Sequence, residues 1–180
     1  MMTEYTIRNR WTGSPICTVA FDCHKTASEA EKLGLAVKAA YARGISLKHA
    51  CLRYASLRSA YLRNVDFTCA DLYSASFHDA NLLGAKLHNA DIRDVRLKGA
   101  NIGYTSVIRI GERSDGYTFY VQTREDGIWI KAGCRYFPIT EAGEHWRRTR
   151  PKDLLGKESL IFLETARKLV GARGLLKELK

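Results

Sequence analysis

The sequence predicts a mainly β protein, with a four-sided coil of about three turns in its middle, a strand-and-helix element before it and a small α+β unit after it. Three observations carry this reading. A large apolar residue returns at every fifth position from Leu47 to Ile102 without a gap. A helix-period segment with its own start and stop signals lies directly before that run. After it come an alternating hairpin pattern and two apolar-periodic stretches separated by Pro151. The boundaries that follow are 1–44, 45–104 and 105–180.

In the first segment, "YTIRNR" and "ICTVAF" read as two short strands joined around "TGSP", a hairpin. A helix is expected from about Thr26 to Arg43, with Leu33, Leu35, Val37, Ala40 and Tyr41 as its apolar positions. Thr26 stands where an N-cap belongs, with Glu29 at capping-box spacing, and Gly44 supplies the stop. The open end of a β-coil exposes backbone donors and acceptors, so the helix is expected to plug the first turn.

The coil follows from arithmetic. Cut every five residues from Ile45, the chain reads ISLKH, ACLRY, ASLRS, AYLRN, VDFTC, ADLYS, ASFHD, ANLLG, AKLHN, ADIRD, VRLKG, ANIGY. The third place is always large and apolar, and the first is Ala except at Ile45, Val65 and Val95. A step of five on an α-helix overshoots one face by about 140°, so no helix buries this pattern. Four sides of five residues do bury it, with residue i over residue i+20. The interior columns are then Leu47, Phe67, Leu87; Leu52, Leu72, Ile92; Leu57, Phe77, Leu97; and Leu62, Leu82, Ile102. Three turns reach the roughly three repeats a solenoid needs for a continuous core.

The alternation of Ala, then Asp or Asn, then Leu, clearest in "ADLYS", "ANLLG", "ADIRD" and "ANIGY", resembles the pentapeptide-repeat proteins. That resemblance implies a right-handed, four-sided β-helix over 45–104. It also implies a scaffold, and self-association, since family members often pair end to end. Some members mimic DNA to inhibit a topoisomerase. That role needs a long negative surface, and this coil carries eight bases against five acids.

In the last segment, "DGYTFYVQT" and "IWIKAGCRYF" around "REDG" read as one β-hairpin. A helix is expected after Pro138, capped by Thr140, and a longer one from about Asp153 to Val170. The longer helix has Leu154, Leu155, Leu160, Ile161, Leu163, Leu169 and Val170 as its apolar stripe. "DGYTFYVQ" with "KAGCRYF" and "HW" resembles uncharacterised pentapeptide-repeat proteins of bacteriophages, which implies a phage or prophage source.

Lys and Arg together number 29 against 19 Asp and Glu, a net charge of +10. Such a balance favours acidic partners or nucleic acid. On the coil, place four holds Lys48, Arg53, Arg58 and Arg63 in the first turn, and Arg58, His78 and Lys98 share one side with Arg96 near them. Asp71, Asp91 and Asp94 gather on the side of Arg53 and Arg93. In "HWRRTRPK", Arg147, Arg148, Arg150 and Lys152 are candidate phosphate contacts, with Trp146 or Tyr136 a candidate stacking surface.

The candidates for chemistry are few. Cys134, His145 and an acid such as Glu141 or Glu144 would make a thiol nucleophile if they converged. The blander reading leaves Cys134 buried in the hairpin and His145 on the surface. His49 stacks over Cys69 without further metal ligands, and no glycine-rich phosphate loop is present, so no metal and no cofactor is expected. The five cysteines form no CxxC pair and are expected as buried, reduced thiols. No apolar stretch is long enough for a membrane span and the N-terminus lacks an apolar signal core, so a cytoplasmic protein is expected. The functional expectation is a non-enzymatic module binding a host or viral protein. Nucleic-acid binding through the basic C-terminal unit, DNA mimicry and a Cys134/His145 enzyme are its alternatives.

Overall fold

The computed structural model describes residues 1–172. Positions 173–180 of the segment expected over 105–180 lie outside them. The chain divides into two compact units, Met1–Thr105 and Ser106–Lys180.

The first unit opens with strands β1 (Met2–Arg8) and β2 (Pro15–Asp22), paired antiparallel, and helix α1 (Glu29–Ala42). The cap of α1 is Ser28, not Thr26: the Glu31 N–H bonds Ser28 Oγ, and the Glu31 carboxylate accepts from the Ser28 N–H at 2.8 Å. Two capping boxes overlap in the sequence, and Thr26 is spent on a local turn, its hydroxyl 2.7 Å from His24 Nδ1. At the other end Gly44 (φ +68°) and Ile45 close a Schellman motif, donating to the carbonyls of Tyr41 and Ala40.

From Cys51 onward, parallel bridges join residues twenty apart: Cys51, Asp71 and Asp91; Ser56, Ser76 and Arg96; Tyr61, Asn81 and Asn101; Asp66 and Lys86. The backbone alternates between neighbouring turns, with Leu52 N–H donating to Asp71 O and Asp71 N–H to Ala50 O, both at 2.8 Å. Every third-place residue from Leu47 to Leu97 is buried, and Phe67 meets Phe77 edge-to-face at 6.0 Å. Ile102, expected in the same core, is only half-buried, because it closes the last turn and no residue of a next turn stacks on it.

The other places also have physical reasons. The first-place N–H closes a turn on the third-place carbonyl of the preceding block, as Ala55 does on Leu52. The fifth place is left-handed in all twelve blocks, from His49 (φ 59°) to Tyr104 (φ 57°), with Gly84 and Gly99 at +72°. Second-place Asp and Asn side chains accept from the N–H two residues on: Asp66 from Thr68, Asp71 from Tyr73, Asn81 from Leu83, Asp91 from Arg93, Asn101 from Gly103. These are Asx turns, which pre-shape each corner.

The first turn is covered by helix and hairpin together, not by the helix alone. Cys51 N–H donates to Arg8 O and Arg10 N–H to His49 O, while Ser56 N–H donates to Ala30 O. The Tyr41 hydroxyl donates to Arg63 O. Each side of that turn thus has one exposed backbone group satisfied.

The second unit is a four-stranded antiparallel sheet in the order β3 (Val107–Glu112), β4 (Thr118–Arg124), β5 (Gly127–Ala132), β6 (Arg135–Pro138). It carries helices α2 (Ile139–Thr149) and α3 (Leu154–Ala172). The single hairpin expected there is extended on both sides. The stretch "VIRIGE" adds a strand, and Gly133 (φ +58°) folds "IWIKAGCRYF" back on itself as two. Pro138, not Thr140, occupies the N-cap of α2, without a side-chain bond. Asp153 caps α3 by accepting from Gly156 N–H at 2.6 Å. The core packs Phe119, Val121, Ile128 and Ile130 of the sheet against Ile139, Ala142 and Trp146 of α2 and Leu163, Ala166 and Val170 of α3. The buried stripe of α3 runs Gly156, Ser159, Leu163, Ala166, Val170, so Leu154 and Ile161, expected inward, face solvent.

Candidate functional sites

The coil sorts its charges by side. Asp71 and Asp91, both buried, are taken by Arg53 at 3.3 Å and Arg93 at 2.6 Å. The Tyr73 ring lies beneath both guanidiniums, 4.5 Å from Arg53 and 5.7 Å from Arg93. Burial alone would push the Asp91 carboxyl up. The Arg93 side chain and N–H, with the charges of Arg93 and Arg10, outweigh it and hold Asp91 below the usual carboxylate range. Arg53, expected on an interaction surface, is therefore committed within the coil.

The next side is different. Arg58, Arg96 and Lys98 are exposed, and no ion pair joins them to any described residue. Arg63 is equally unpaired on the side after that. Ser56, Ser74 and Ser76, with Arg58 and Arg96, line a groove of about 400 Å³ bounded by Ala30 and Tyr54. His78 stands in the same column as Arg58 and Lys98, its Nδ1 3.1 Å from Ser76 Oγ. The repeat register alone brings Arg58, His78 and Lys98 together. It does not bring in the serines, because the spacing assigns no direction to second- and fifth-place side chains.

In the second unit, the two-residue turn at Gly133 exposes Cys134 instead of burying it. A Cβ at Gly133 would lie 2.2 Å from the Tyr117 ring, so only glycine lets that turn sit against Tyr117. Beside it opens a cavity of about 310 Å³. Arg113 and Tyr117 enter it from the β3–β4 connection, Ala132, Cys134 and Arg135 from the β5–β6 hairpin, and His145, Trp146, Thr149 and Arg150 from α2 and its end. Arg113 is anchored by Asp115 at 2.6 and 2.8 Å and by Ser159 Oγ at 2.8 Å. Arg150 pairs with Asp153 at 2.9 Å. Arg135 is exposed, with no side-chain partner among the described residues. Burial, then the charges of Arg135 and Arg148, lower the His145 pKa.

Cys134 and His145 thus share one cavity, but no hydrogen bond joins thiol to imidazole, and neither Glu141 nor Glu144 bonds the ring. Trp146 is 3 % exposed and packs on Phe119 and Phe137 at 5.4 and 5.5 Å. It is a core residue and offers no stacking face to a base; Arg147 and Arg148 beside it are exposed. Sequence reasoning misses Arg113, Tyr117 and Arg135, because it misses the strand and turn that place them. No three His, Cys, Asp or Glu residues converge among the described residues, and no described helix is long and apolar enough to cross a membrane.

Twenty-residue turns joined by parallel bridges, with an inward residue every five, define a β-helical repeat segment. Residues 43–79 and 66–102 match the family model of the pentapeptide repeats, eight copies in all, so residues 43–102 form a pentapeptide-repeat segment. No curated protein matches the chain.

Proposed function

We propose that the protein is a non-enzymatic interaction module whose right-handed, four-sided coil presents one cationic side to an acidic surface on a partner protein. One observation carries this reading. Among the described residues Arg58, Arg96 and Lys98 have no ion-pair partner and stand beside a serine-lined groove, while the adjacent side neutralises its own arginines. Unpaired charges held in fixed register give complementarity and fast encounter with an acidic partner. The resemblance of the second unit to bacteriophage proteins makes a host or viral protein the expected partner class. It makes a phage or prophage the expected source, and the cytoplasm is the compartment we propose from the sequence.

The test is affinity capture with the full chain and with R58E/R96E/K98E, nuclease-treated and eluted across a salt gradient. A protein captured by the wild type and lost by the triple variant supports the reading. Loss of all capture on nuclease treatment, or equal capture by both chains, overturns it. R147Q/R148Q serves as the control for the basic end of α2, whose exposed arginines are the remaining route to nucleic acid.

A further inference from the structure

The geometry points to the cavity beside the β5–β6 turn as a binding site for a small phosphate monoester. Four facts converge there. Arginines line it from three elements, Arg113, Arg135 and Arg150; Asp115 and Asp153 pair the first and last, Glu158 adds its charge on Arg113, and Arg135 is left without a side-chain partner among the described residues. Those two carboxylates also fix their arginines. Arg113 is 8 % exposed, its guanidinium held at Nε and Nη2 by Asp115 and at Nη1 by Ser159, so little ordering remains for a ligand to impose. The Tyr117 side chain adds a hydroxyl, and the His145 ring a further nitrogen, at the same opening, while the Thr149 hydroxyl donates to the His145 carbonyl at 2.8 Å. The volume, about 310 Å³, lies at the lower end of small-ligand pockets.

The chemistry selects phosphate. A carboxylate is planar and is satisfied by one bidentate arginine. A tetrahedral phosphate has oxygens to offer donors approaching from several directions, and here three elements supply them. The remaining space suits a small ester substituent, with the aliphatic and aromatic edges of Ala132 and Trp146 on the lining. Cys134, exposed at the rim, serves as a reporter rather than a reactant.

The experiment uses the full chain at constant ionic strength, chloride replacing phosphate in the reference. Inorganic phosphate and glycerol 3-phosphate are titrated by calorimetry. In parallel, peptide mapping follows the rate at which Cys134 reacts with an anionic aromatic disulfide. Both phosphates are expected to bind and to slow Cys134 modification, glycerol 3-phosphate more tightly. Arg135→Gln, which removes a side chain with no partner among the described residues, is expected to weaken binding by about tenfold or more. Lys168→Gln on the exposed face of α3 is expected to change nothing. Absence of heat and of protection overturns the site. Equal losses in the two variants reduce the effect to net charge and overturn it as well. Binding of inorganic phosphate without the ester overturns the assignment to a monoester.

Discussion

Gly34 lies against the backbone carbonyl of Ser56, and a Cβ at position 34 would sit 1.9 Å from that oxygen. The contact sets how closely α1 seats on the first turn of the coil. It lets Ala30 O, one helical turn earlier, accept from Ser56 N–H at 2.9 Å. In an ordinary helix interior, Gly→Ala stabilises by about 0.5–1 kcal/mol. Here the sign reverses. Gly34→Ala is expected to destabilise by about 1–3 kcal/mol, the usual cost of overpacking against an unyielding neighbour. Urea denaturation decides it, and a stabilised variant would mean that the helix does not seat on the coil this way.

The fifth place of every block makes a second reversal. Ser59 is held at φ 50°, a left-handed conformation that costs a residue bearing a Cβ about 1–2 kcal/mol. Ser59→Gly is therefore expected to be more stable than Ser59→Ala by about 1 kcal/mol, against the ordinary order. In a chain of this size that separates their melting temperatures by about 2–4 °C. Equal or inverted melting temperatures would contradict the corner geometry.

The core columns are not equivalent. Phe77→Ala removes a ring 1 % exposed and edge-packed on Phe67, and is expected to cost about 3–5 kcal/mol. Ile102→Ala, at a half-buried position, is expected to cost less than half of that. Comparable losses would show the last turn to be as tightly covered as the middle one.

These contrasts mark what can be read from the chain. The five-residue spacing is a strict geometric code, because only one arrangement buries Leu52, Leu72 and Ile92 in a column. The column map by itself also places Arg58, His78 and Lys98 on one side. Capping is ambiguous, since Thr26 and Ser28 both begin a Thr/Ser-x-x-Glu pattern, and the His24–Thr26 turn leaves Ser28 as the cap. The cavity at Cys134 is illegible in the sequence. It depends on Gly133 turning the chain against Tyr117, and on a strand, Val107–Glu112, whose short mixed pattern carries no strong periodicity. Trp146 misleads because an aromatic among arginines reads as a stacking surface, yet its helix turns it into the core.

The Asp91–Arg93 pair predicts how the coil responds to acid. The folded carboxyl sits below its ordinary value, so its stabilising contribution is complete above about pH 4 and is lost as the pH falls through the folded value. Arg93→Gln removes the side-chain bond and its charge, leaving burial opposed only by the residue-93 backbone N–H and Arg10, and so moves the same carboxyl up. The stability gap between wild type and Arg93→Gln is thus expected to be larger at pH 6 than at pH 3 in urea titrations. A gap independent of pH would show the pair to be uncoupled from folding.

His145 reports the charge of the cavity, and its folded pKa is lowered as well. Its folded pKa lies below the ordinary histidine value, through burial first and then through Arg135 and Arg148. The unfolded chain therefore binds the proton more readily. The contribution to stability is complete above about pH 6.5 and declines as the pH falls through the unfolded value toward the folded one. The groups facing the ring fix the next step. Arg113 and Arg150 are already paired with Asp115 and Asp153, so Arg135 is the unneutralised cation of the lining, with Arg148 nearby. Arg135→Gln is expected to raise the His145 pKa toward, but not to, its ordinary value, because burial persists. Titration of the imidazole carbon-bound protons by NMR, assigned with His145→Asn, measures it directly. An unchanged midpoint in Arg135→Gln would remove Arg135 from the electrostatics of the cavity.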